Sequence, residues 1–128
     1  MDKVVHFEIP ADDLKRAQDF YNKMFGWQIN QVPDVDMTYY MVNTTEVGDN
    51  HMPKEPGAIN GGMMKRSTPD ESPVIVVDVS SIDDYLKKAE RLGGKIVLQK
   101  MDIGKFGYYA RITDSEGNVI GLWQTIKP

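Results

Sequence analysis

The stretch TDSEGNVIGLWQ, Thr113 to Gln124, decides the fold, because it combines a tight turn with the strand that follows it. Asp114 favours a turn through side-chain to backbone hydrogen bonds, and Gly117 can adopt a positive φ without steric cost. Val119 to Trp123 is a short apolar run of strand-forming residues. A weaker version of the same pattern, EPGAINGGMM, occupies residues 55–64. We therefore predict one supersecondary unit that occurs twice.

The first copy opens with a strand over Val4 to Ile9 that has two different faces. Alternate residues of a strand point to opposite sides, so the odd-numbered positions form an apolar face, and His6 and Glu8 share the other. Pro10 is expected to end this strand. A helix with apolar residues at helical spacing follows, and Gly26 is placed to terminate it in a left-handed conformation. The remaining predicted elements are strands over Trp27 to Val32, Met37 to Asn43 and Ile59 to Lys65, a turn at Pro33 to Asp36, and a long loop over Thr44 to Gly57.

The second copy begins after the clearest change of composition, the Ser-, Thr- and Pro-rich segment Arg66 to Pro73. A strand is predicted over Val74 to Val79, and Ser81 fits the start of a capped helix that ends at Gly93-Gly94. Three more strands are predicted over Lys95 to Gln99, Tyr108 to Thr113 and Val119 to Gln124. The order is βαβββ twice, with residues 1–65 as the first module, 66–73 as a linker and 74–128 as the second, together in one compact domain.

Composition excludes several classes of protein. The chain has 128 residues, no cysteine and a formal net charge of −4. There is therefore no disulfide framework or thiolate chemistry, and no basic cluster that would suit nucleic acid. No signal peptide and no apolar run long enough to cross a bilayer are apparent, so we expect a cytoplasmic protein without a membrane partner.

Three motifs resemble one family across essentially the whole chain. They are HFEIP at residues 6–10, AQDFY at 17–21 with FGW at 25–27, and DSEGN at 114–118. In this order, and with the repeat, the chain resembles the vicinal oxygen chelate superfamily, which contains glyoxalase I, bleomycin resistance proteins and extradiol dioxygenases. The resemblance implies an α+β fold in which the two tandem βαβββ modules form a curved, half-barrel mixed sheet with helices on its outer face.

The resemblance also implies where a metal would bind in relatives that use one. Such relatives take one ligand from the first and one from the last strand of each repeat. Carried onto this sequence, the four positions are His6, either Gly61 or Gly62, Val76 and Gly121. A catalytic metal needs about three protein ligands, and only the histidine can serve. We therefore expect neither a metal nor another cofactor.

Strand parity predicts a concave, ligand-binding face. On the penultimate strand, Ala110 and Ile112 suit the helix side, which turns Tyr109 and Arg111 inward. On the last strand, Trp123 is expected to face inward with Gly121. The predicted ligand-binding set mixes aromatic walls with a few polar groups, as small-molecule clefts do, and the alternative is that it packs against a second subunit. This set comprises His6, Glu8, Met63, Tyr109, Arg111 and Trp123.

His6 and Glu8 are the candidate catalytic residues. Histidine titrates near neutrality and could act as a general base that shares a cavity with Glu8, and Glu8 could form a carboxylate pair with Asp78. The plainer interpretation is a hydrogen-bonded histidine in a cavity, with the carboxylates paired to Arg111 or a lysine at the rim. His51, in the long loop, is expected to be solvated.

Two functional classes follow. The favoured one binds a small organic molecule without the usual metal; the alternative is an enzyme, either a metal-dependent lyase or dioxygenase or a metal-free acid–base catalyst using His6 and Glu8. We also expect a homodimer, because apolar residues exceed what two thin helices need to cover. The residues available for that contact are Trp27, Tyr39, Tyr40, Met63, Met64 and Met101.

Overall fold

The computed structural model describes residues 1–33, 38–50 and 52–126, and their contacts divide the chain into two compact units. The N-terminal unit is His6–Pro73, and the C-terminal unit is Met1–Val5 together with Val74–Pro128. The boundaries therefore differ from the sequence-based ones. The segment Arg66 to Pro73 packs with the first module, where the Arg66 amide donates to the carbonyl of Ala11 at 2.9 Å. The first five residues pack with the second module, where the hydroxyl of Tyr85 donates to the Asp2 carboxylate at 2.7 Å.

The predicted order of elements, βαβββ followed by βαβββ, is confirmed, as is the α+β class. The elements are β1 Lys3–Ala11, α1 Leu14–Phe25, β2 Gln28–Gln31, β3 Tyr39–Asn43, β4 Gly61–Lys65, β5 Val74–Asp78, α2 Ile82–Arg91, β6 Lys95–Asp102, β7 Gly107–Thr113 and β8 Val119–Thr125.

Pro10 does not end β1, because it lies inside the strand opposite Met64 of β4. A proline lacks its own N–H, but its fixed φ is compatible with extended backbone at such a position. The predicted turn at Pro33 to Asp36 and the start of the next strand fall largely on residues 34–37, which lie outside the described residues.

The N-terminal unit is a mixed sheet covered by one helix. β4 pairs in parallel with β1 and antiparallel with β3, and β3 pairs antiparallel with β2. The carboxylate of Asp13 caps α1 by accepting from the Arg16 amide at 3.0 Å, and Gly26 ends it with φ 74°. These local signals fix both helix ends, and the one at Gly26 was predicted. The buried core beneath α1 consists of Ala11, Ile29, Tyr40, Val42 and Met63.

The C-terminal unit repeats this arrangement. β5 pairs in parallel with β8, and β7 pairs antiparallel with both β8 and β6. The hydroxyl of Ser81 caps α2 by accepting from the Asp84 amide at 3.3 Å, as the sequence predicted. The buried core consists of Val79, Ile82, Leu86, Ala110 and Leu122.

Met63 is a correction to the predicted concave face. Its side chain has 0% exposure and lies in the N-terminal core, among residues that pack against α1. Tyr40 belongs to the same core, and Trp27 packs against it. All three large side chains therefore contribute to the packing of the N-terminal unit. Met63 therefore cannot line an open cleft in this structure.

Within the three described ranges, no helix combines the length and apolar character needed to cross a bilayer.

Candidate functional site

The N-terminal unit gathers His6, Glu8 and Tyr39. His6 and Glu8 lie two residues apart on β1, and Tyr39 is the first residue of β3. The Nε2 atom of His6 lies 3.1 Å from the hydroxyl oxygen of Tyr39, within hydrogen-bonding distance. Both side chains are partly buried, and Glu8 is only 6% exposed. The sequence predicted the first two residues of this cluster but not its tyrosine.

Burial sets the charge of His6. Removing the imidazole from water lowers its pKa below the usual value of 6.5, and the negative charge of Glu8 opposes this by a smaller amount. The neutral imidazole is therefore the main form near pH 7. A neutral imidazole has one N–H donor and one acceptor nitrogen, so it can either donate to the Tyr39 oxygen or accept its proton.

The structure decides which glycine of β4 shares the face of His6. A Cβ atom placed on Gly62 would overlap the Tyr39 hydroxyl, the same oxygen that contacts His6. A Cβ on Gly61 would instead lie 2.6 Å from the Phe7 ring, which packs against the N-terminal core. Gly62 is thus the position on the His6 face.

The C-terminal unit gathers Tyr109, Arg111 and Trp123. The Nε–H of Arg111 donates to the Tyr109 hydroxyl at 2.7 Å, and the guanidinium carbon lies 5.7 Å from the centre of the tyrosine ring. Trp123 lies directly opposite Tyr109 in the β7–β8 register, and its indole N–H donates to the Thr125 hydroxyl at 3.0 Å. All three side chains are partly buried. Tyr108 and Ile112 pack on the C-terminal core, so the predicted parity of β7 holds.

Three of the four positions that the resemblance assigns to metal ligands have no donor side chain. Val76 is opposite Gly121 in the β5–β8 register, and neither residue has a donor side chain. A Cβ on Gly121 would lie 2.9 Å from the Tyr109 hydroxyl, so the space beside this glycine is already filled by the tyrosine. In the described part of the chain, no three His, Cys, Asp or Glu side chains come close enough together to hold an ion. The donor set therefore does not fit the four-ligand metal.

Two further predicted residues remain, His51 and Asp78. His51 lies outside the described residues. Asp78, the suggested carboxylate partner of Glu8, lies at the end of β5 opposite Trp123 and is exposed. Tyr39 is the residue that sequence reasoning missed as a site residue. The available signal was the repeat, because a tyrosine near the start of the third strand recurs as Tyr109.

Comparisons with known proteins agree with this fold. The family model for the bleomycin resistance protein-like N-terminal domain matches residues 3–44. A Mycobacterium tuberculosis protein named as a candidate glyoxylase, CFP32, is 32% identical over an alignment of 120 residues that covers 91% of this chain and 43% of that protein. The anthracycline biosynthesis protein DauV of a Streptomyces species is 25% identical over 133 residues, covering 92% of this chain and 45% of that protein. The chain thus spans less than half the length of these curated relatives.

A solved structure gives the same result for the fold. The methylmalonyl-CoA epimerase of Mycobacterium tuberculosis superposes with a TM-score of 0.65 at 15% identity, covering 96% of this chain and 87% of that one. At this identity the likeness concerns the fold alone. Residues 3–44 match the bleomycin resistance protein-like N-terminal family, and the sequence relatives and the fold agree with the predicted resemblance to the vicinal oxygen chelate superfamily.

Proposed function

We propose that this protein binds a small organic molecule by direct contact with side chains, without the four-ligand metal of its better-known relatives. The observation that carries the proposal is the Tyr109–Arg111 pair beside Trp123. An aromatic wall next to a fixed phenol and a guanidinium suits a flat ligand that carries a polar or acidic group. The missing donors at Val76, Gly62 and Gly121 support the part of the proposal that concerns the metal.

The relatives support the class of ligand in general terms only. One is named as a candidate glyoxylase and another for anthracycline biosynthesis, so both names concern the chemistry of small molecules. Since this chain covers less than half of either protein, neither activity transfers to it.

Tryptophan fluorescence tests the proposal. The sequence has two tryptophans, and Trp27 packs against the N-terminal core, so a Trp27→Phe background leaves Trp123 as the single reporter. We expect a panel of aromatic and dicarbonyl metabolites to contain at least one that quenches or shifts Trp123 emission. Arg111→Met should weaken that binding while Lys105→Met, which removes a cation from the exposed loop before β7, should not. A panel without any Trp123 response would contradict the proposal.

An acid–base enzyme is the second candidate, and the state of His6 favours it. A buried imidazole that is neutral at pH 7 can accept a proton, and Glu8 is buried beside it on the same strand. The test is proton–deuterium exchange at the carbon next to a ligand carbonyl, which His6→Gln should abolish. Exchange that continues in the variant would exclude His6 as the base.

A further inference from the structure

The strand β2 lies at an edge of the sheet. Among the strands of the described ranges it pairs with β3 alone, in an antiparallel register that sets Ile29 opposite Val42. An edge strand presents backbone N–H and C=O groups that can pair with a strand from another chain. What covers the open side of β2 therefore decides whether this edge can associate.

The hydrogen bonds to β3 identify the backbone groups on the open side. The Val32 amide donates to the Tyr39 carbonyl at 2.8 Å, so the backbone groups of Val32 point toward β3. In an antiparallel pair, successive residues alternate between pointing toward the partner strand and pointing away from it. Ile29, within β2, and Trp27, directly before it, have the opposite parity to Val32. Their carbonyl groups therefore point away from β3.

Two carboxamide side chains of α1 bind these carbonyl groups. The Nε2 group of Gln18 donates to the Ile29 carbonyl oxygen at 2.6 Å. The Nδ2 group of Asn22 donates to the Trp27 carbonyl oxygen at 3.0 Å. Gln18 is partly buried and Asn22 is exposed. Each side-chain amide donates to β2 as the peptide N–H of a neighbouring strand would.

The spacing of the two donors matches that of the two acceptors. Gln18 and Asn22 are four residues apart in α1, which is a rise of about 6 Å along a helix. Trp27 and Ile29 are two residues apart, which is about 6.6 Å in an extended strand. The chain reverses after the helix ends at Gly26, so donors and acceptors run in opposite order. The helix thus presents its amides as an antiparallel strand would.

We propose that Gln18 and Asn22 close the edge of β2, and that they exclude strand addition by a second copy of this chain. The excluded partner is a second β2, because two identical edges can pair antiparallel about a twofold axis. Attachment of α1 does not depend on these two amides, since Leu14, Ala17 and Tyr21 pack against the N-terminal core. The inference is independent of ligand binding.

The test removes the two donors and keeps the shape of the side chains. Gln18→Met and Asn22→Leu each replace a carboxamide by an apolar group of similar volume. We expect light scattering of the double variant to give a mass that rises with concentration to about twice the wild-type value, because pairing of two identical edges closes after one addition. The reference is wild-type protein at each concentration, whatever its own oligomeric state.

Hydrogen exchange at single residues identifies the surface that associates. By the same alternation, the amides of Ile29 and Gln31 lie on the open side of β2, so strand addition should slow their exchange about tenfold or more relative to wild type. Gln28→Met with Asn30→Leu is the matched control, because it makes the same two changes of residue type at exposed positions of β2 itself. The control should keep the wild-type mass and exchange rates.

Three results would overturn the inference. They are a folded double variant with the wild-type mass at every concentration, association without slower exchange at Ile29 and Gln31, and equal association of the control variant. Either of the last two would assign the effect to added apolar surface. If urea unfolding shows that the double variant does not fold, the single variants decide. Gln18→Met should then associate more than Asn22→Leu, because the Gln18 bond is shorter and less exposed, and wild-type behaviour of both would equally contradict the inference.

Discussion

The Nε2 atom of His6 lies 3.1 Å from the hydroxyl oxygen of Tyr39, and that oxygen occupies the space into which a side chain at Gly62 would project. The contact joins the first and third strands of the N-terminal unit across the fourth. A side chain at Gly62 would overlap this tyrosine, and the tyrosine gives the imidazole a fixed hydrogen-bonding neighbour. The packing at Gly62 and the hydrogen-bonding partner of His6 therefore involve the same tyrosine.

The lowered pKa of His6 makes a prediction about stability and pH. Since the folded form holds the proton less tightly than the unfolded chain, the unfolded state binds more protons below about pH 6.5. The free energy of unfolding should therefore fall as the pH drops from about 6.5 toward 5. His6→Gln should flatten this part of the profile, as measured by urea unfolding at several pH values.

A second pH region provides the control for that experiment. Hydrogen bonds from Asn118 lower the pKa of the Asp114 carboxyl group, and a hydrogen bond from Thr68 lowers that of Asp70. Their stabilising effect is present above the usual carboxyl pKa and is lost only below about pH 4. This acid limb should be the same in wild type and His6→Gln. If the free energy of unfolding of the variant changes with the same slope between pH 5 and 6.5 as that of the wild type, His6 is not the source of the slope.

Gly62→Ala should destabilise the protein. The added methyl group would overlap the Tyr39 hydroxyl, and forcing a residue into an occupied space costs about 1–3 kcal/mol. The free energy of unfolding from urea titration measures the loss. Gly48→Ala is the control, since its nearest contact would be the Asn50 side-chain oxygen at 3.3 Å in an exposed loop, and it should change stability by less than about 0.5 kcal/mol.

Relief by a second substitution identifies the cause of the Gly62→Ala effect. Tyr39→Ala removes the ring that blocks the methyl group, so the cost of Gly62→Ala should shrink in that background. Equal costs in the two backgrounds would mean that Tyr39 is not the obstacle.

Met63 should act as a core residue and not as a ligand contact. Its side chain is fully buried, so Met63→Ala should cost about 2–5 kcal/mol of unfolding free energy. Met101→Ala is the matched control, because Met101 is 39% exposed and should cost less than about 0.5 kcal/mol. A Met63→Ala variant of normal stability with weakened ligand binding would restore the original expectation.

Stoichiometric metal binding should be absent, because three of the four ligand positions that the resemblance assigns, Gly62, Val76 and Gly121, have no donor side chain. Elemental analysis of untagged, dialysed protein should find far less than one equivalent of Zn²⁺, Ni²⁺, Fe²⁺ or Mn²⁺. Glyoxalase I activity on the methylglyoxal–glutathione adduct should be absent too. About one equivalent of metal that disappears in His6→Ala would contradict this prediction.

We also propose a homodimer, but the structure leaves fewer residues available for the interface than the sequence suggested. Tyr40 and Met63 fill the N-terminal core, so they no longer argue for an interface. The exposed apolar side chains of α1 still argue for an interface, since Phe20, Met24 and Phe25 are 59%, 63% and 56% exposed. Methionine and aromatic residues are enriched at protein interfaces. Light scattering at micromolar concentration should give about 29 kDa, twice the 14.5 kDa of one chain. A stable 14.5 kDa species would contradict the dimer, and Phe20→Ser should weaken it.

The local sequence determined the repeated βαβββ order, the helix caps and the faces of β1 and β7. Each depends on signals within a few residues, such as the αL glycine at Gly26 or the alternation of His6, Phe7 and Glu8. The same alternation predicted that His6 and Glu8 share one face of their strand. It also predicted that Tyr109, Arg111 and Trp123 point to the same side of the sheet.

Only the tertiary structure decided what surrounds the glycines of β4. A shift of one residue turns every side chain of a strand to the other face, so the sequence left Gly61 and Gly62 interchangeable and placed Met63 on the wrong side. The pairing of Tyr39 with Met64 fixes the register, and with it the position of the Tyr39 hydroxyl over Gly62 and against His6. That contact joins residues 33 positions apart in the chain, and no local pattern encodes a contact over that distance.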